Sequence, residues 1–215
     1  CAAPLLAIVL RALHALVWGQ GASVLMEPET FHALLNTLRF SGMALVLATV
    51  LGLTHALAVR ALDHMGALRG AGGLQATAAL GWRAAAFLPF VVSPVTVAFG
   101  LLLLYPQWTA SLGLLVAAYA LLAYPFVAKS LTAALDALPA SYAQAAATLG
   151  ARPWRIFWRV TLPLVSTALR RGMAFAAATA LGEFAVSLFL SRPEWTTLTT
   201  LIFQRLSRPG AANLD

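Results

Sequence analysis

Charge is scarce in this chain: of 215 residues only 10% are Asp, Glu, Lys or Arg, while 61% are hydrophobic. A soluble domain carries roughly a quarter charged residues, so the shortage excludes an ordinary water-soluble globule and indicates a membrane protein. Cysteine is nearly absent as well. Cys1 stands alone, which leaves neither a disulfide framework nor a cysteine metal site. The histidines, His14, His32, His55 and His64, are scattered and lack metal-ligand spacing, so no metal site is expected. No glycine-rich phosphate loop of the G-x-x-x-x-G-K-S/T type occurs, and the chain is not expected to hydrolyse ATP itself. Neither a serine nucleophile elbow nor an H-E-x-x-H zinc motif is found, so no catalytic residue is assigned. There is no internal repeat.

The charge that does occur is mostly positive, with a formal net of +7. Its placement argues against nucleic acid as the partner, because the basic residues fall between apolar runs and not along one polar face. The opening segment, "CAAPLLAIVLRALHALVW", meets Arg11 after ten residues, too soon for a bilayer span of about 20. It also lacks the basic start and small-residue end of a signal peptide. Residues 1–10 are read as the outer remnant of a span whose beginning is absent, which makes the chain a fragment truncated at both ends.

Phe40 to Val59, between Arg39 and Arg60, reads as one span, its start reaching back to about Phe31. Ala84 to Ala128 is an uncharged run long enough for two, with "YPQWTA" as the turn between them. Gly172 to Ser191 gives a further span, interrupted by Glu183. Arg60, Arg69 and Arg83 lie in one connection; Lys129, Arg152, Arg155, Arg159, Arg170 and Arg171 lie in another on the same side. The positive-inside rule puts both in the cytoplasm. Glu27 and Glu29 fall outside, as do Arg192, Arg205 and Arg208, which run against the pattern. The expected architecture is all-α: a polytopic transmembrane helical bundle in a single domain over residues 1–215, with a partial first span and four complete ones.

One segment breaks the apolar monotony: "AQAAATLGARPWRIFWRVTLPL", residues 143–164. It reads as a helix-turn-helix within about 136–165. A first helix runs from about Ala140 to Leu149 and ends at Gly150, which suits a left-handed turn. Pro153 starts a second helix, where its missing N–H costs nothing, and Pro163 is expected to end it. Arg152, Arg155 and Arg159 share one face of that helix; Trp154, Phe157 and Trp158 share another. Three readings fit: an interfacial amphipathic loop with arginines at lipid headgroups, a nucleic-acid-binding helix pair, or a docking knob for a cytoplasmic partner. The second is weak, since a short loop held at a membrane has little reach into a groove.

Spacing adds a fourth kind of information. Gln144-Ala145-Ala146, then Gly150, then nine residues, then Val160-Thr161-Leu162-Pro163 resembles the E-A-A-x3-G-x9-I-x-L-P signature of inner-membrane permease subunits of binding-protein-dependent ABC importers. The likeness extends to "LDALPASYAQAAATLGARPWRIFWRVTLPLVSTAL", to "ALLNTLRFSGMALVLATVLGLTHALAV", to "FLPFVVSPVTVAFGLLLL" and to "LGEFAVSLFL", nearly the whole chain. The resemblance implies the type I importer fold, with about five of six core helices present. It also implies a bacterial inner-membrane, multi-pass location and a non-catalytic role. The implied partners are a cytoplasmic ABC ATPase dimer that holds the ATP and Mg, a second permease domain in the same chain or as a homodimer, an extracytoplasmic solute-binding protein, and membrane lipid. In such proteins this loop forms coupling helices seated in a cleft of the ATPase. Gln144, Ala145, Ala146, Gly150, Arg152, Trp154, Arg155, Phe157, Leu162 and Pro163 are its candidates here. Where the signature has glutamate this chain has Gln144, which keeps length and hydrogen bonding but loses the charge.

Glu183 is the one acid inside a span, and such residues face a bundle interior or a wet cavity by default; a pathway or gate role is expected over a mere helix-end residue. Pro89 and Pro94 lack backbone donors and should kink the third span. Either they shape the path, with Ser93 between them, or they make an ordinary membrane-helix kink. Asn36, Thr37, Ser93 and Thr96 are expected to serve as packing glue. The tail "SLFLSRPEWTTLTTLIFQRLSRPG" most resembles permeases for iron(III) or thiamine, often built as two halves in one chain, of which this suits the C-terminal one. Sulfate, molybdate and polyamine uptake stay open. The rival is a helical membrane protein without energy coupling, a channel or an assembly factor, whose basic loop only anchors it to lipid.

Overall fold

The computed structural model describes residues 10, 14, 27–69, 74–108 and 111–207; the expected remnant span at residues 1–10 and Arg208 lie almost entirely or wholly outside them. Among the described residues the chain is helical without strands. The helices are α1 Pro28–Arg69, α2 Leu74–Ala85, α3 Leu88–Val91, α4 Pro94–Leu104, α5 Leu112–Asp136, α6 Ala140–Thr148, α7 Pro153–Ile156, α8 Leu162–Leu181, α9 Ala185–Leu190 and α10 Leu198–Leu206.

Two of these are long and apolar enough to cross a membrane, the Pro28–Met65 part of α1 and the whole of α5. The other two expected crossings are broken helices. The break between α3 and α4 follows from Pro94: Val92 and Ser93 are extended, as a residue before proline prefers, and Pro94 opens α4 where no N–H is needed. The second break separates α8 from α9 at Gly182, Glu183 and Phe184, so the expected span from Gly172 to Ser191 is two pieces.

α5 is the hub. Leu115, Tyr119, Ala123, Val127 and Leu131 are fully or almost fully buried along it. α1 runs parallel to it, Gly52 meeting Val127 and the Arg60 guanidinium reaching the Leu135 carbonyl at 3.4 Å. α8 packs against the same point: a Cβ on Gly172 would lie 2.9 Å from the Val127 Cα and 3.1 Å from the Ser130 Cβ. Glycine at both crossings lets three helix backbones converge on one residue, a small-residue contact that membrane bundles use because lipid offers no hydrophobic drive. The outward side of α1 exposes the apolar side chains of Leu38, Val46 and Val50.

The two ends of the bundle differ. At one end Arg83 of α2 is bonded to Asp63 of α1 and at 2.8 Å to Asp136 of α5. At the other end Arg205 of α10 is bonded to Glu27 and Glu29. Arg205, which ran against the charge pattern, thus lies beside the two acids expected on the outer side. Asn36 and Thr37 act as the expected ties there: the Asn36 amide donates to the Glu194 and Thr196 carbonyls, and the Thr37 hydroxyl accepts the Leu198 N–H.

Candidate functional site

Two regions gather the candidate residues. The first is the hairpin α6–α7 beyond the end of α5. α6 begins after Pro139 and closes in a left-handed cap: Gly150 has φ +78°, its N–H bonds to the Ala147 carbonyl, and the Ala151 N–H returns to Ala146. This is the paired-bond arrangement that a left-handed glycine completes at a helix end. Arg152 is the extended residue before Pro153, which opens α7 as expected. Pro163 departs from expectation. It does not stop the helix, because α7 runs on through a wide π turn at Phe157–Thr161 directly into α8. The Leu162 N–H reaches back to the Phe157 carbonyl, five residues away, and this wider turn makes room for a proline ring that would otherwise strike the carbonyl four residues before it. The hairpin is therefore joined rigidly to a bundle helix.

Its surface is open. Trp154, Phe157 and Trp158 form one cluster with ring centroids 5.3 to 6.2 Å apart, yet Trp154 is 71% exposed and Leu149, at the tip, 88%. Arg152, Arg155, Arg159 and Gln144 are exposed too, and Ala145 and Ala146 present small side chains beside them. Leu149 was missed because a residue before a glycine stop reads as a helix end. A leucine is an unusual residue to leave in water at a turn.

The second region is a pocket on the flank of the bundle, open where Ser93 and Pro94 are exposed. Pro89, Ser93, Pro94 and Glu183 all line one cavity of about 380 Å³, with Thr179 and Phe126. Glu183 is buried, and its carboxylate accepts the Val186 N–H at 3.1 Å, capping α9. Its carbonyl accepts the Tyr119 and Thr199 hydroxyls at 3.3 and 3.2 Å. Below it the Tyr119 hydroxyl is 2.5 Å from that of Ser187, which also accepts from Thr197. The break in the helix is thus held by a buried hydroxyl network, and Glu183 both caps a helix and borders the cavity. The network was not anticipated, since its partners are far apart in sequence. At the α2 end, the hydrogen bonds that the Arg83 guanidinium donates to Asp136 first and Asp63 second hold it protonated even more firmly than usual.

The structure thus joins an exposed, aromatic hairpin to a helix that borders the Glu183 cavity. The family of binding-protein-dependent transport system inner membrane components matches residues 71–208. This chain belongs to that family. The molybdenum transport system permease protein ModB of Mycobacterium tuberculosis is 31% identical over 229 aligned residues, which cover 98% of this chain and 81% of the relative. The sulfate transport system permease protein CysT of Escherichia coli is 32% identical, over 94% of this chain and 75% of its own. A putative 2-aminoethylphosphonate transport system permease protein, PhnV of Salmonella typhimurium, is 28% identical over 59% of this chain and 49% of its own. The permease is accordingly an inner-membrane component of a binding-protein-dependent importer, with an all-α bundle. The iron(III) or thiamine cargo expected from the tail finds no support in these relatives, which are named for molybdenum, sulfate and a phosphonate.

Proposed function

We propose that this permease moves an oxyanion, molybdate or sulfate, inward by alternating access, and that ATP hydrolysis on a separate ATPase drives it through the α6–α7 hairpin. The likeness of nearly the whole chain to permeases named for those two solutes carries the cargo assignment. The exposed hairpin, continuous with α8 through the π turn, supports the coupling. Closure of a nucleotide-binding dimer would push the hairpin as one body, and α8 would carry that displacement past α5 toward the Glu183 cavity. Gly150 shapes the tip, Ala145 and Ala146 allow close approach, and Trp154, Phe157 and Leu149 are the apolar anchors. Arg152 and Arg155 pair with acidic groups or phospholipid. Leu162 and Pro163 sit where the hairpin enters α8. The permease itself is non-catalytic; ATP and Mg belong to the ATPase. A second permease domain completes the path, an extracytoplasmic binding protein delivers solute, and the basic end faces the cytoplasm in a multi-pass arrangement.

The test is uptake of radiolabelled molybdate and sulfate into proteoliposomes holding the assembled importer, with and without ATP and binding protein. ATP-dependent uptake of either oxyanion is expected. Uptake of neither would end the cargo assignment, and uptake indifferent to ATP would favour a channel.

A further inference from the structure

Five arginines follow the Gly150 turn without meeting an acid. Among the described residues every guanidinium–carboxylate pair belongs to Arg83 or Arg205. Arg152, Arg155, Arg159, Arg170 and Arg171 therefore have no carboxylate of those residues within 4 Å, and all five are exposed. The first three stand on the hairpin and the π turn. Arg170 and Arg171 stand apart, more than two turns into α8, where Arg170 donates to the Thr167 hydroxyl at 3.4 Å.

The helix crossings give the depth of this pair. Gly172 meets Val127, which Gly52 meets from α1, so Arg170 and Arg171 lie just on the hairpin side of that level. From Leu112 to Ala128 α5 carries no charge, and Val127 is about 23 Å along the axis from Leu112. A hydrocarbon core is about 30 Å thick. A crossing that begins at Leu112 thus ends about 7 Å past Val127, a distance that an arginine side chain covers by extending along its own helix. The exposed surface of α8 changes character at the same level. Beyond the pair, Ala174, Phe175, Ala178 and Leu181 are exposed and apolar. Phe175 comes four residues after Arg171 and shares its face, its ring stacked on Phe126 with centroids 6.2 Å apart. An apolar face that ends in two adjacent guanidinium groups matches the boundary between acyl chains and phosphates. A guanidinium binds phosphate through a planar fork of donors.

We propose that Arg170 and Arg171 form a binding site for an anionic phospholipid in the leaflet at the hairpin end, with the guanidinium groups on the phosphate and Phe175 beside the acyl chain. An acidic protein surface is the poorer fit, because it would leave the exposed Phe175 ring without an apolar partner. The site goes beyond the transport function proposed above and holds whichever solute is carried.

The test is native mass spectrometry of the assembled, delipidated importer, titrated separately with phosphatidylglycerol and with phosphatidylcholine of the same acyl chains. A preference for phosphatidylglycerol is expected. Arg170→Gln together with Arg171→Gln should lower that preference roughly thirtyfold, about fivefold for each basic side chain at an anionic surface, with phosphatidylcholine binding unchanged. Arg170→Lys together with Arg171→Lys should keep most of it. If the double glutamine variant fails to assemble, Arg171→Gln alone should lower the preference roughly fivefold. A preference that the glutamine substitutions leave unmoved overturns the proposal. Displacement of phosphatidylglycerol by inorganic phosphate also overturns it, since the pair would then be a site for a soluble anion. Loss of the ATPase from the glutamine variant with the lipid preference intact overturns it too, and assigns the arginines to a protein contact.

Discussion

The convergence of α1, α5 and α8 on Val127 sets how closely these helices pack, and it can be tested by adding one methyl group. A Cβ at Gly52 would lie 2.6 Å from the Val127 Cβ, 2.7 Å from its Cγ1 and 2.9 Å from the Ala128 nitrogen. No such contact is tolerated without a shift of α1 against α5, and forcing a methylene into a packed core costs about 1–3 kcal/mol. Alanine returns about 1 kcal/mol of helix propensity. Gly42, on the same helix, has nothing within 4 Å of its would-be Cβ, so Gly42→Ala keeps the propensity gain alone. The two chemically identical substitutions should differ by about 1–3 kcal/mol in unfolding free energy, Gly42→Ala being the more stable. The assay is unfolding in detergent followed by helical circular dichroism. Adding Val127→Ala to Gly52→Ala removes the 2.7 Å contact but leaves those at 2.6 and 2.9 Å, so a double-mutant cycle should show partial rescue. Equal stability of Gly42→Ala and Gly52→Ala would refute the close crossing.

Two other outcomes are expected. Ser187→Ala strips the Tyr119 and Thr197 hydroxyls of a buried partner and should cost about 1–3 kcal/mol; adding Tyr119→Phe should recover part of it, read by the same unfolding assay. Arg83→Gln breaks a partly exposed clamp on Asp63 and Asp136 and should cost only about 1 kcal/mol, with the loss shrinking as salt rises.

What could be read in advance was local. Apolar runs marked the long helices, Gly150 and Pro153 the hairpin, and Pro94 the kink, because each acts through its own backbone or its immediate neighbours. Pro163 misled for the same reason. A proline ordinarily ends a helix, and nothing nearby announces that a π turn will absorb the ring. Glu183 was found as an intramembrane acid, but its role as the cap of α9 depends on a break that composition does not show. The stacking of Phe175 on Phe126, across the close α5–α8 approach that Gly172 allows, was equally hidden. Likewise Arg205 counted against the charge pattern until the fold brought it to Glu27 and Glu29. Contacts between residues far apart along the chain are what one sequence leaves out. The iron(III) or thiamine cargo expected from the tail found no support, and that tail's residues build the tie to α1, a structural task that says little about the solute.

The central claim is that the α6–α7 hairpin transmits ATP-driven motion, and Gly150 isolates it. Its φ of +78° is left-handed and nothing lies within 4 Å of its would-be Cβ, so a substitution there acts through backbone strain and not through crowding. Asparagine tolerates that conformation and a β-branched residue does not. The decisive measurement is ATP hydrolysis stimulated by the solute-loaded binding protein in the reconstituted importer, with assembly checked on the same samples. Gly150→Asn should retain the stimulation, and Gly150→Val should lose most of it while the complex still assembles. Full stimulation in an assembled Gly150→Val importer would contradict the account.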